Sequence, residues 1–405
     1  MHPSRPPSEY AFHGIKQDYP DRSIQKALES GQITKHDADL IREYVADSQT
    51  SRNIGVKRAQ KIVFVLVGLR RFIGPFTENS IADLYSGVSK IKSGTSLRGK
   101  QFAPETIADY IGMLKTFYRW LNEEEYLSLP EKKLDKIQIP RRTSRKTAND
   151  LLTVTEISQM MDVCRTSRER AFLSTLYEGG FRIGEIGQMV WNDLKFDGTG
   201  VVINVNFKTG KDRYIRLVMA REHLIKWKSD YPGEPSGENL VFLSELKNPP
   251  TRAALNKTLM VTAKRAGIEK HFTPHVLRHS RITHLIQQGV NESVIKLMMW
   301  GSIDSKMFST YAHLTGSDID REINRLYGIS NKELEATTKR LVPKVCPHCK
   351  EVHSPVSKHC HICGHSLDDD TLGDDDDLQQ FMLKHVKEFK AFFERMTEKP
   401  TVLPS

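Results

Sequence analysis

One stretch breaks the helical pattern of this chain. From Trp191 the apolar period falls to two: Ile203, Val205 and Phe207 alternate with Asn204 and Asn206, Lys208-Thr209-Gly210-Lys211 supplies a turn, and Tyr214 to Leu217 forms the returning arm. Elsewhere apolar residues recur at steps of three and four. The expected fold class is mainly α with a small antiparallel β-sheet.

A chain of 405 residues is long enough for two or three domains with real cores. Its net charge of +10 understates its basic character, because Asp368 to Asp377 carries seven aspartates and the remainder stands at about +17. A polyanion such as double-stranded DNA is the partner that this charge suggests, with a basic ribosome-bound or membrane-surface protein as the competing reading. The longest apolar run, Ile62 to Leu69, is far short of a membrane span, and MHPSRPPSEY does not resemble a signal peptide. The expected setting is the reducing cytoplasm, associated with the nucleoid, where cysteines serve as metal ligands or core residues.

Residues 1–50 read as a Pro-rich, mobile start followed by two short helices, Ile24 to Ser30 ended by Gly31 and Lys35 to Ala46 capped by Thr34. A helical domain is expected over 51–139. Its longest stripe is Ile62, Val63, Leu66, Leu69 and Phe72, joined by a short helix near Ile81 to Ile91 and one after Pro104 that carries Tyr110, Leu114, Phe117 and Leu121. Lys57, Arg58, Lys61, Arg70 and Arg71 form either a solvated face or a set of phosphate contacts. Residues 140–150, with Arg141, Arg142, Arg145 and Lys146, form a basic linker.

A second domain is expected over 151–330. Thr155 stands as an N-cap with Ser158 three residues on, so the capping box is incomplete. Helices follow over Glu156 to Cys164 and Arg168 to Tyr177, the second stopped by Gly179-Gly180. Arg182 then opens a further helix with Glu185 at i+3, an arrangement that suits either an anion or a simple ion pair. Tyr177 and Tyr214 read as packing residues and Cys164 as a buried residue on its helix. After helices over Ala220 to Asp230 and Thr251 to Ala266, Thr273 caps a helix with Pro274 at its first position and Gly289 at its end. His275 and Arg278 share one face of it, able to hydrogen-bond one phosphate. Trp300 and Tyr311 follow, the latter a candidate nucleophile; His279, His284 and His313 read as structural or surface histidines.

At these residues the chain resembles the tyrosine recombinases, or phage-type integrases, most strongly from 178 to 314. The family signature combines an early Arg, a hairpin Lys, a His-x-x-Arg box, a His or Trp and a Tyr nucleophile; His275-Val276-Leu277-Arg278 and the TYAHL segment match it closely. The resemblance implies that Arg182 and Arg278 hold the scissile phosphate with His275 and Trp300, that Glu185 supports them, and that Tyr311 attacks. It also implies that Lys208, or alternatively Lys211, protonates the leaving 5′ oxygen, with no metal or ATP. It further implies a DNA clamp formed with the helical domain and a homo-tetramer on two duplexes. Here the order is Trp300-Gly301, where the family usually has glycine first, so Trp300 also reads as a core tryptophan.

Beyond residue 340, Cys346-Pro-His-Cys349 and Cys360-His-Ile-Cys363 form two knuckles that predict a structural zinc ribbon over 340–366. All four cysteines would hold the ion or, given the nearby histidines, three cysteines and one histidine. This addition resembles archaeal integrases. An acidic linker over 367–377 leads to an amphipathic helix over 378–398, with Met382, Val386, Phe389, Phe393 and Met396 in a heptad-like stripe suited to self-association or docking. The expected activity is site-specific cutting and rejoining of DNA through a 3′-phosphotyrosyl intermediate. A type IB topoisomerase-like enzyme and a non-catalytic zinc-ribbon DNA-binding protein are the alternatives.

Overall fold

The computed structural model describes residues 12, 14, 16–140, 150–205, 212–270, 272–310 and 341–367. Most of residues 1–15, Arg141, Arg142, Arg145, Lys146, Lys208, Lys211, Tyr311, His313, the acidic linker and the C-terminal amphipathic stripe lie outside them. The chain divides into two compact units, Pro7–Asn149 and one that runs from Asp150 onward.

The first unit is helical: α1 Tyr19–Glu29, α2 Lys35–Arg52, α3 Val56–Leu69, α4 Ile81–Lys92, α5 Pro104–Glu123 and α6 Glu131–Asp135. All six share one apolar core, in which Ile24, Ile41, Leu66, Leu84, Leu114 and Leu134 are almost wholly buried. Aromatic edges lock it, with Phe117 placed 5.1 Å from Tyr44 and 4.9 Å from Phe76 between ring centroids. The polar knot of this core is Asp37. It completes a capping box with Thr34, accepts the Phe76 N–H at 2.9 Å and pairs with Arg70 Nε at 2.8 Å while wholly buried. Burial pushes its carboxyl up, but the Phe76 and Thr34 N–H groups, the Thr34 hydroxyl and Arg70 outweigh this and hold it low. Arg70, expected on a phosphate-facing surface, therefore turns inward and also donates to the Ile73 carbonyl. Arg58, Lys61 and Arg71 are exposed and Lys57 is half-buried, with Lys61 paired to Asp109 and Arg71 donating to Thr95 O.

The second unit begins with α7, Val154–Asp162, whose cap is Thr153 rather than Thr155. Thr153 and Glu156 complete the capping box that the sequence reading lacked. Cys164 lies just past this helix, buried, with its thiol donating to Met160 O and pushed up to about 12 by burial. α8 Ser167–Glu178 and the one-turn α9 Ile183–Ile186 precede the sheet, in which β1 Leu194–Phe196, β2 Val201–Val205 and β3 Arg213–Leu217 lie antiparallel in that order. Ile203 faces Ile215 and Val205 faces Arg213 across β2 and β3. This register turns Arg213, Ile215 and Leu217 inward and leaves Tyr214 62% exposed, so Tyr214 is not the packing residue expected. Helices α10 Ala220–Ser229, α11 Arg252–Arg265, α12 Pro274–Gln287 and α13 Glu292–Trp300 follow, then a two-stranded ribbon of β4 Lys344–Val345 and β5 Val352–His353. The described fold is thus mainly helical with small antiparallel sheets. None of its helices is long and apolar enough to cross a membrane.

His284, on α12, is buried and takes a hydrogen bond from Tyr177 Oη at its Nδ1, 2.8 Å away. Burial and the Arg281 charge draw its pKa down to about 4. A histidine held neutral in the fold binds its proton more readily when unfolded, so its contribution to stability is complete above about pH 6.5 and is lost as pH falls towards 4. Its share is up to about 3 kcal/mol. Urea midpoints measured from pH 7 to pH 4 should fall less steeply for His284→Gln than for the wild-type chain.

Candidate active site

α8 ends at Gly179-Gly180, and Gly180 adopts φ +56° with the Met299 side chain where a Cβ would stand, 2.7 Å from its sulfur. This tight turn delivers Arg182 to the start of α9, with its side chain 35% exposed. Glu185, one turn on and buried, accepts the Arg182 backbone N–H and guanidinium, each at 2.7 Å. Its other partner is Arg213, whose Nη2 lies 2.5 Å away. Burial would raise the Glu185 carboxyl, yet Arg213 and Arg182 hold it low.

Arg213 is only 3% exposed and extends from β3 to the end of α13, donating to Met298 O at 3.1 Å and Met299 O at 3.0 Å. The same Met299 carbonyl accepts from Arg278 Nη2 at 2.6 Å, and Arg278 Nη1 donates to Gly180 O. Three arginines, Glu185 and three backbone carbonyls therefore form one continuous network of hydrogen bonds across α9, β3, α12, α13 and the glycine turn. Three guanidiniums against one carboxylate leave a local surplus of positive charge.

Arg278 is 5% exposed, whereas His275, three residues earlier on α12, is exposed with its ring centroid 6.5 Å from that of His279. Trp300 packs at the edge of the small cluster of Ile282, Leu285, Ile295 and Met299, and its ring also lies 5.8 Å from the Arg278 guanidinium. This is the packing position expected of a core tryptophan, and it also sets the ring beside Arg278. Gly301, at φ +69°, closes α13 in a left-handed cap directly after Trp300, which explains the order of that pair.

Sequence reasoning missed Arg213. Its signal was a charged residue in the inward register of a period-two strand. It also missed Glu178, at the end of α8, whose carboxylate accepts the N–H groups of Val218 and Met219 at 2.7 and 3.1 Å and of Ala220 at 2.8 Å, so fixing the start of α10 beside the site.

In the ribbon, Cys346, Cys349, Cys360 and Cys363 bring their sulfurs within 4.8 Å of one another. The Cys346–Cys363 and Cys349–Cys360 separations of 3.6 and 3.4 Å approach the roughly 3.8 Å edge of a tetrahedron with metal–sulfur bonds near 2.3 Å. Four thiols so placed fit a metal ion. His353 and His361 are not with them; they meet Glu222 of α10.

The phage integrase family model matches residues 150–317. The tyrosine recombinase XerD of Staphylococcus haemolyticus is 25% identical over 57% of this chain and 79% of its own length. A tyrosine recombinase of Thermosipho africanus is 28% identical over 56% and 78%. Residues 150–317 of this chain are thus a phage integrase domain, similar to that of the tyrosine recombinases. Two solved structures have the same fold. XerH recombinase bound to difH aligns with a TM-score of 0.54 at 14% identity, over 81% of this chain and 99% of that one. Lambda integrase bound to DNA aligns at 0.53 and 16%, over 68% and 96%. Transposase A of transposon Tn554 from Staphylococcus aureus is 28% identical over 52% of this chain and 59% of its own.

In this recombinase, removing Arg213 leaves Glu185 buried with one cation fewer. Arg213→Met is expected to cost roughly 3–5 kcal/mol in urea denaturation, and Glu185→Gln placed in that background to return part of the loss, since the uncompensated charge is then gone.

Proposed function

We propose that this recombinase cuts and rejoins DNA at specific sites, with Tyr311 as nucleophile and Arg182, Arg278, His275 and Trp300 around the scissile phosphate. The observation that supports this best is the hydrogen-bonded chain of Arg182, Arg213 and Arg278, with charge to spare and its donors held before any ligand arrives. A tyrosine hydroxyl has an ordinary pKa near 10, so it must lose its proton as the bond to phosphorus forms. His275, exposed at the helix start, takes that proton or donates a hydrogen bond to the phosphate. The arginine forks neutralise the charge that builds on the phosphate oxygens. The bond from phosphorus to the 5′ oxygen breaks, and Lys208, or Lys211, gives that oxygen a proton. The 3′-phosphotyrosyl ester conserves the bond energy, so a 5′-hydroxyl of a second duplex reverses the step and reseals the strand.

Double-stranded DNA is the partner, with Lys57, Arg58, Lys61 and Arg71 of the helical unit and the linker residues Arg141, Arg142, Arg145 and Lys146 on its phosphates. The working assembly is a homo-tetramer on two duplexes in the cytoplasm, at the nucleoid. Cys346, Cys349, Cys360 and Cys363 hold a structural zinc ion, which supplies folding free energy of roughly 10–16 kcal/mol to a segment too small for its own core.

The test is covalent trapping on a nicked duplex. The wild-type chain should leave an SDS-stable protein–DNA adduct and Tyr311→Phe none. Arg182→Lys, which keeps the charge and loses the fork, should slow single-turnover cleavage roughly 10²–10³-fold. Absence of any adduct from the wild-type chain would leave only a DNA-binding role, and plasmid relaxation without strand exchange between duplexes would mark a topoisomerase.

A further inference from the structure

We propose that Glu222, His353 and His361 form a second metal site, distinct from the four cysteines, which fastens the ribbon to α10. His353 Nδ1 stands 3.6 Å from Glu222 Oε2 and His361 Nδ1 4.0 Å from Glu222 Oε1, while the two Nδ1 atoms are 3.1 Å apart. Ligands bound at about 2.0–2.2 Å around a tetrahedral ion sit roughly 3.3 Å from one another, so these three spacings bracket those of a bound set. The two imidazoles meet nearly edge to face, at 76° with centroids 4.7 Å apart, and a ring nitrogen of each lies within 4.8 Å of a Glu222 carboxylate oxygen.

The surroundings are those of a built site. His353 is wholly buried, so its Nδ1 is held against Glu222 and His361 away from solvent. Glu222 is fixed from behind, its Oε2 accepting the Ser354 N–H at 2.9 Å and the Ser357 hydroxyl at 2.8 Å, the kind of outer support that orients a ligating carboxylate. These contacts hold its carboxyl low, against the upward push of burial. The His361 side chain is 34% exposed, so an ion can enter from that side and keep a water as its fourth ligand. Two imidazole nitrogens and one carboxylate oxygen suit a borderline divalent transition ion such as Zn²⁺, and disfavour Ca²⁺ and Mg²⁺, which take oxygen ligands.

The site spans two parts of the catalytic unit. Glu222 lies in the first turn of α10 and both histidines lie in the ribbon; Arg221, its neighbour, pairs with Glu351 of the same ribbon. A bound ion would convert a small polar contact into a coordinate crosslink, independent of whether Tyr311 acts as the nucleophile.

The experiment measures zinc per chain in the purified full-length protein after passage over a weak chelating resin, for wild type, Glu222→Gln and His361→Ala. Two ions per wild-type chain and one in each variant are expected. Cobalt substitution provides the control: the intense thiolate-to-cobalt charge-transfer band of the cysteine site should persist in both variants, showing that the ribbon still folds, while a weaker visible band is lost. One ion per wild-type chain, or two in all three proteins, overturns the proposal.

Discussion

The Met299 carbonyl oxygen is where this catalytic unit is tied together. It belongs to the last turn of α13, where helix carbonyls have no partner within the helix, and it accepts from both Arg213 and Arg278. The two guanidiniums thereby serve as the C-cap of α13, at the end where the helix dipole favours cations. Because each also grips another element, Arg213 at Glu185 and Arg278 at Gly180, the helix end, the strand and the glycine turn cannot shift separately. Gly180 is essential to this geometry, since its positive φ and its contact with Met299 leave no room for a side chain.

Such burial of charge is costly on its own, and an isolated ion pair of this kind is weak evidence for stability. What it provides here is positioning. Arg213 is drawn towards losing its proton by desolvation and is held charged by Glu185, whose own carboxyl stays low for the same reason. Arg182, the partly exposed member, has its guanidinium fixed in place by the same buried carboxylate. Fixed donors do not have to reorganise when charge develops, which is where electrostatic catalysis gains most of its effect.

The sequence made the local half of this arrangement legible. His275 and Arg278 share a helix, Arg182 and Glu185 pair at i+3, and the hairpin follows its alternating apolar residues, all within reach of short-range periodicity. The non-local half was not legible. Arg213 looked like one more polar residue on a strand, because its partners Glu185 and Met299 come from separate elements. Arg70 looked like surface because Asp37 lies on a different helix. Likewise, His353 and His361 crowd the cysteines in sequence and read as spare ligands, although the fold aims both at Glu222. A capping box displaced by two residues, from Thr155 to Thr153, shows the limit even for local signals when two threonines compete.

α10 connects the ribbon to this scaffold. Its first N–H groups are held by Glu178, the residue just before the Gly179-Gly180 turn, and its first turn carries Arg221 and Glu222, the two residues that grip the ribbon. The path from the ribbon to the arginine cluster is therefore short and made of rigid parts: Glu222 to α10, α10 to Glu178, Glu178 to Gly180, Gly180 to Arg278. A module joined to its neighbour only by a flexible linker samples many orientations, whereas one fixed at two adjacent residues of a capped helix keeps a defined orientation relative to the arginine cluster. The described ribbon is of the second kind, so any surface it presents to a partner has its position set by residues that are tied, through Glu178 and Gly180, to the arginine cluster.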